Sequence, residues 1–313
     1  MSTAVLALGG NALARADEPA TITNQFRRAR ESMAVVVPLA REGWRIVIVH
    51  GNGPQVGDSL VRNEVARSVV EPLPLGVLVA ETAGWIGYML QQTLQNALAS
   101  ARVSRPVVTV LTQTLVDRFD PALGSPTKPI GQPLTDAEAA RLREAGRAVA
   151  RDGSGAWRRM TTSPHPLGVV ELPVVRALLE QGAIVIAAGG GGPPVYHDPI
   201  LGLEGVDAVV DKDRVSAVLG RQLGADVLMI LTNVEAVYQG WGTPARRPIP
   251  RLTVSQAERL CAAGEFDAGG MRPKVEAAAG FVGAAGGRAI IAHLASGAAA
   301  LRGECGTIIV RDE

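Results

Sequence analysis

Seven short runs of aliphatic and β-branched residues, at 3–8, 45–49, 106–111, 183–187, 227–231, 288–292 and 307–310, punctuate this chain of 313 residues. Between them lie segments with helical apolar spacing, near 24–42, 54–69, 80–100, 135–150, 171–181, 213–223, 253–263 and 273–285. Continuous apolar runs read as strands buried on both faces, and strands that alternate with helices must be covered by them. The expected fold class is therefore α/β: a mainly parallel sheet between helix layers, a three-layer α/β/α sandwich.

Residues 117–168 interrupt that rhythm. DRFDPALGSPTKPIGQPL, a polar helix and DGSGAWRRMTTSPHPLG carry Pro and Gly at both edges, which marks an excursion from the sheet, a lid or protruding subdomain. The remainder divides into two lobes of one continuous sheet, about 1–170 and 171–313, within a single domain.

Composition removes several function classes. Hydrophobic residues make up 47% of the chain and aromatic residues only 4%, so aliphatic side chains and alanine must build the core. With 31 basic and 30 acidic residues no net field draws the chain to nucleic acid or an acidic membrane. Cys261 and Cys305 stand 44 residues apart without a CxxC partner or clustered histidines, so neither a zinc site nor a disulfide framework is indicated. MSTAVLALGG lacks the basic start and long apolar run of a secretory leader, and no stretch reaches the length of a membrane span. A soluble, cytoplasmic protein is expected.

Only three of the 31 basic residues are lysines: Lys128, Lys212 and Lys274. Where arginine serves every generic positive charge, a retained lysine points to a place where a compact ammonium is needed and a planar guanidinium does not fit. Asp211-Lys212-Asp213 opens one helix, Gly269-Gly270 precedes the helix with Lys274, and Pro126 and Pro129 stiffen the chain around Lys128. Aspartate at a helix start also acts as an ordinary cap. Glycine loops follow several strands, at Gly9-Gly10-Asn11, Gly51-Asn52-Gly53 and Gly189–Gly192. Together they suit a polyanion, which needs many backbone donors and little side-chain bulk. Phosphoryl transfer requires such positioned charges, and Asp213 is suited to orient Lys212 and Lys274 and keep both cationic. No carboxylate cluster forms a protein cage for a metal, but Mg²⁺ commonly enters with nucleotide phosphates. GxxxxGK[ST], the protein-kinase signatures and GxSxG are absent. Of the histidines, His50 abuts a glycine loop within reach of a ligand, His165 suits the lid, and His197 and His293 read as structural.

ALGGNA (7–12), HGNGPQVG (50–57), PTKPIG (126–131), AGGGGPPV (188–195), VDAVVDKD (206–213), LTNVEAVY (231–238) and GGMRPK (269–274) resemble, in order, the motifs of the carbamate kinases in the amino-acid kinase superfamily. The resemblance implies an open, mainly parallel sheet with a protruding subdomain, a homodimer, and the reaction ATP + carbamate = ADP + carbamoyl phosphate with Mg²⁺. It implies that Gly9, Gly10, Asn11, Gly51, Asn52 and Gly53 hold the carbamoyl phosphate side in the first lobe. Lys212 and Lys274 would hold the transferring phosphoryl group, with Asp213 as organiser and Lys128 reaching in from the lid. Asp211, Asn233, Val234, Val237, Tyr238, Gly270 and Met271 would border the nucleotide in the second lobe. Many members of the superfamily have a lysine where this chain has Ala7, and Lys212 would supply that charge.

Two departures stand out: Gly270 replaces a usual serine, and the far lid edge GSGAWRRMTTSPHP carries an extra Ala156 and Met160-Thr161-Thr162. The competing expectations are a relative acting on another small carboxylate or phosphate acceptor, against which Lys128 argues, and a non-catalytic ligand sensor. The pathway supplying carbamoyl phosphate, from arginine, agmatine or purine breakdown, is not encoded in these motifs.

Overall fold

All seven expected runs form strands, and an eighth, Arg251–Thr253, joins them in one sheet. The computed structural model describes residues 1–10, 13, 18–267 and 270–312. Across the sheet the order is Arg251–Thr253, Thr307–Val310, Arg288–His293, Val227–Thr232, Thr3–Leu8, Arg45–His50, Ile184–Ile186 and Val107–Thr109. Every pairing is parallel except that of Arg288–His293 with Thr307–Val310.

Alternation along the strands builds two cores. Val5, Ala7, Val47, Val49, Leu228 and Ile230 face one side, where Val215 and Leu219 of helix Lys212–Leu223 and Val275, Ala278 and Phe281 of helix Met271–Ala285 meet them. Leu6, Leu8, Ile46, Ile48, Met229 and Leu231 face the other side, against Ala29 and Met33 of helix Ile22–Ala34 and Ile86, Met89 and Leu90 of helix Leu75–Ser100. These are the helix layers of the expected sandwich.

Register decides where the loops emerge. Leu8 pairs with both Leu231 and His50, so three central strands end at the same level. Gly9, Gly51 and Asn233 therefore leave one edge of the sheet, the carboxyl edge, where open α/β sheets bind ligands.

The structure corrects several boundaries. The helix expected at 24–42 is two, Ile22–Ala34 and Val36–Arg41, because Pro38 has no N–H to bond back to Ala34. The one expected at 135–150 ends at Glu144, with Gly146 at φ +72°, and Val149–Arg151 is a strand. In the excursion, Lys128–Leu134, Trp157–Thr161 and Val149–Arg151 form a separate three-stranded antiparallel sheet. A four-stranded sheet joins Gly202–Gly205, Pro194–Asp198, Thr114–Val116 and Pro166–Val169. Extra Ala156 lies in the turn between lid strands, where Asp152 N donates to Ala156 O and Gly155 takes φ +82°. On either side of this turn Arg151 pairs with Trp157 and Val149 with Arg159. Trp157 at its end is held by its indole N–H on Asp136, at 2.7 Å, with Arg143 and Arg151 over the ring.

Candidate active site

Helix Lys212–Leu223 starts at the carboxyl edge with Asp211 as its N-cap, whose Oδ1 accepts from the backbone of Asp213 at 2.9 Å and Arg214 at 3.3 Å. The cap fixes the first turn and points Asp213 inward, where it is 2% exposed. Two lysines from two helices close on its carboxylate: Lys212 Nζ at 2.5 Å from Oδ1 and Lys274 Nζ at 3.0 Å from Oδ2. Lys128 Nζ lies 2.6 Å from Asp211 Oδ2. All three lysines therefore meet on two neighbouring carboxylates. This cluster was legible as residues and not as pairs.

Burial opposes ionisation of Asp213, but Lys212 and Lys274 overcome it and hold its carboxyl below the usual range. Asp211 is held low against the same penalty, chiefly by Lys128 and Lys212. Burial pushes the Lys212 ammonium below the usual lysine range despite Asp213. Burial also works against Lys274, yet the charge and hydrogen bond of Asp213 outweigh it and raise this group.

The glycine loops divide into two kinds. Gly51 is small because the Lys212 stem crosses it: an added Cβ would lie 3.2 Å from Lys212 Cδ. Gly9 and Gly10 border the open cleft with Lys212. Gly53 begins helix Gly53–Ala66. Asn52 is 2% exposed, and its amide nitrogen donates to Thr82 Oγ1 at 2.9 Å. Gly189–Gly191, expected in the anion cradle, are buried beneath it. An added Cβ at Gly190 would come 2.3 Å from Asn52 Nδ2, and one at Gly191 2.2 Å from Val210 O, so packing demands these glycines. His50, expected near a ligand, is 1% exposed and packs inward, with Nδ1 donating to Gly51 O at 3.0 Å. Burial pushes its imidazole down to about 4. Asn11 and Gly269 lie outside the described residues.

A cleft of about 600 Å³ opens beside the lysines and is lined by Gly9, Gly10, Lys212, Asn233, Val234, Tyr238, Gly270, Met271 and Lys274 among others. Two residues expected at the nucleotide do not line it. Val237 is fully buried, since it precedes Tyr238 on a strand and alternation turns it inward. Asp211 turns its carboxylate to the cap and to Lys128.

Sequence reasoning missed the cleft wall of Trp241, Glu265, Phe266 and Asp267. Tyr238 and Trp241 meet at a tilt of 55° with ring centroids 5.4 Å apart, and the Arg246 guanidinium lies over both. The spacing of two aromatics in a chain poor in them was the available signal. Asp267 also gives Gly270 a local reason, because an added Cβ there would come 2.5 Å from Asp267 Oδ2.

The excursion docks on helix Gly53–Ala66. A Cβ on Gly57 would lie 2.0 Å from Gly131 Cα, so backbone meets backbone, and Arg159 pairs with Glu64 at 2.6 Å.

The model of the amino acid kinase family matches residues 2–293. The chain belongs to the amino acid kinase family. Within that family it stands with the carbamate kinases: it is 41% identical to the carbamate kinase of Pyrococcus horikoshii over 97% of both chains. It is 44% identical to that of Haemophilus influenzae, over 98% of this chain and 96% of the relative. The solved carbamate kinase of Giardia lamblia bound to AMP-PNP superposes with a TM-score of 0.90 at 37% identity, over 99% of both chains. The expected three-layer fold agrees with the solved carbamate kinase structure over 99% of this chain.

Proposed function

We infer that this chain transfers a phosphoryl group reversibly between ATP and carbamate, as ATP + carbamate = ADP + carbamoyl phosphate. One observation carries the reading: Lys212 and Lys274, from different helices, converge on buried Asp213 beside the glycine loops and the open cleft. Relatives of the same length carry that activity in their names.

Phosphoryl transfer asks a protein to position two reactants and to neutralise the oxygens in flight. Two ammonium groups already fixed by one carboxylate need no reorientation when charge moves between donor and acceptor, which is the gain from preorganisation. Gly9, Gly10, Asn11, Gly51, Asn52 and Gly53 take the carbamoyl phosphate side, and Lys128 reaches it from the lid. Asn233, Val234, Tyr238, Gly270 and Met271 border the nucleotide, with Trp241 as a further wall.

Mg²⁺ accompanies the nucleotide in this reading. Asp211 and Asp213 are engaged by lysines and backbone, and among the described residues no three ligating side chains meet. Glu265 and Asp267, the carboxylates lining the cleft, are the side chains that would hold the ion through water. Bound there it neutralises phosphate charge. Turnover should vanish in excess chelator and return with Mg²⁺; full activity in chelator would remove the ion from the reaction.

A homodimer is the assembly we propose. Exposed Leu111, Leu167, Val170 and Val174 lie on segments that follow edge strand Val107–Thr109 or adjoin Gln113, and such apolar surface suits a self-complementary contact. Light scattering at micromolar concentration should give twice the chain mass, and a monomer would contradict it. Among the described residues no helix is long and apolar enough to cross a membrane. A cytoplasmic role making ATP from carbamoyl phosphate in nitrogen catabolism, for example in arginine metabolism, fits an enzyme of this kind. A coupled assay for ATP from carbamoyl phosphate and ADP tests the central reading, and its failure with folded wild-type protein would sink it.

A further inference from the structure

The two oxygens of Asp211 have different partners. Oδ1 caps the helix that bears Lys212 and Asp213, accepting from Asp213 N and Arg214 N. Oδ2 accepts from Lys128 Nζ at 2.6 Å, across 83 residues of chain. The side chains of this pair are 24% and 16% exposed, so it is largely sheltered from water. Lys128 is the first residue of the lid strand Lys128–Leu134. Other lid contacts, among them Gly131 on Gly57, Arg159 on Glu64 and Ile130 buried among Val56, Leu78, Val79 and Val209, seat it on the body away from Asp213.

Charge makes this contact necessary. Lys212 and Lys274 are both held on Asp213, so a third ammonium brought to the same cluster meets like charges in a place water reaches poorly. A second carboxylate adjacent to the first offsets that repulsion before any substrate anion arrives. Because the same carboxylate caps the helix of Lys212, the position of the lid lysine is referred to the catalytic helix itself.

We propose that Asp211 is a positioning residue that docks the lid: its Oδ2 holds Lys128 beside Lys212 and Lys274, while its Oδ1 caps the helix. It acts through Lys128 and not through the nucleotide. The kinetic part rests on the carbamate kinase reading; the docking part does not.

The test is a double-mutant cycle of Asp211→Asn with Lys128→Met, read in two ways. Asparagine keeps a capping oxygen and the shape but removes the charge, so the melting temperature should stay within a few degrees. Asp211→Ser, another good cap, repeats the test should asparagine fold poorly. Hydrogen exchange at the amides of Thr127, Ile130, Gly131, Gln132 and Leu134 should quicken by about 10-fold in either single variant, and the double variant should exchange no faster. In the ATP-forming assay, Asp211→Asn should lower kcat/KM for carbamoyl phosphate by about 10-fold or more and leave KM for ADP within about twofold. In the Lys128→Met background the same substitution should add little. Unchanged exchange in Asp211→Asn, equal losses with and without Lys128, or a loss confined to KM for ADP would each overturn the docking role. Wild-type protein that makes no ATP would refute the reaction instead, and the exchange measurement would still decide the docking.

Discussion

Lys212 and Lys274 reach the site from helices sunk into the main core, whereas Lys128 arrives on a separate three-stranded sheet seated on helix Gly53–Ala66 through a small cluster of its own. The first pair is fixed by the burial of Val215, Leu219, Val275 and Ala278 on the same helices. The third lysine is held differently: Ile130, two residues further along its strand, is buried among Val56, Leu78, Val79 and Val209 in a small cluster apart from both main cores, and the ammonium itself depends on Asp211. Rigid groups suit charge that moves during the reaction, and a docked group suits a reactant that must enter and leave.

Removing the common anchor should have the largest effect. Asp213→Asn leaves two buried ammonium groups without their carboxylate, so kcat should fall ~10³-fold or more, and stability by about 3 kcal/mol, the scale for breaking one side of a buried ion pair. Steady-state rates and urea unfolding measure both, and an active, stable Asp213→Asn variant would dissolve the contrast between anchored and docked lysines. A finer cut keeps charge and changes shape. Lys212→Arg and Lys274→Arg should each lower kcat by ~10²-fold, while Lys128→Arg should raise KM for carbamoyl phosphate along with a smaller fall in kcat. Equal profiles for all three would show that anchoring makes no difference.

The smallest effect on turnover, and one confined to the anchored side, comes from acid. His50 lies at about 4 in the folded chain against an ordinary 6.5, so between those values the unfolded chain binds a proton that the folded chain refuses. Stability should therefore fall as pH drops through that window, by at most about 1.4 kcal/mol per unit from this group. The lysine-held Asp211 and Asp213 lose their contribution only below the ordinary aspartate value of 3.8. Asp58, raised by burial, works in the opposite sense near the lower end. Unfolding free energies of wild type and His50→Asn from pH 7 to 4.5 isolate the histidine, and an equally steep slope in the variant would acquit it.

The anchored region was also the more readable one in sequence. Its strands are apolar on both faces and its helices keep a periodic stripe, so their patterns survive without knowledge of partners. Lys212, Lys274 and Asp213 could be singled out because lysine is scarce and the residues sit at helix starts. The lid strands lack a continuous apolar run, with Pro129, Gly131 and Pro133 interrupting Lys128–Leu134, and each is stabilised by the strand opposite and not by its own pattern, which is why Val149–Arg151 reads as the end of a helix. The partner of Lys128 was beyond reach for the same reason, since 83 residues separate it from Asp211. Val237 was misassigned by treating a stretch of strand as one surface when its neighbours face opposite ways. Trp241 and Asp267 lie outside the quoted motifs and become visible only once the cleft has walls.

The meeting of Gly57 and Gly131 sets a mechanical tolerance. With 2.0 Å between a notional methyl on Gly57 and the opposing backbone, the seated lid has no clearance for even the smallest side chain. Alanine at 57 is compatible with the helix but not with the seated lid, so that one methyl would act as a shim under a hinge. The position offers a way to prop the entrance ajar while every charged group of the site keeps its identity, which would separate the travel of the lid from the chemistry beneath it.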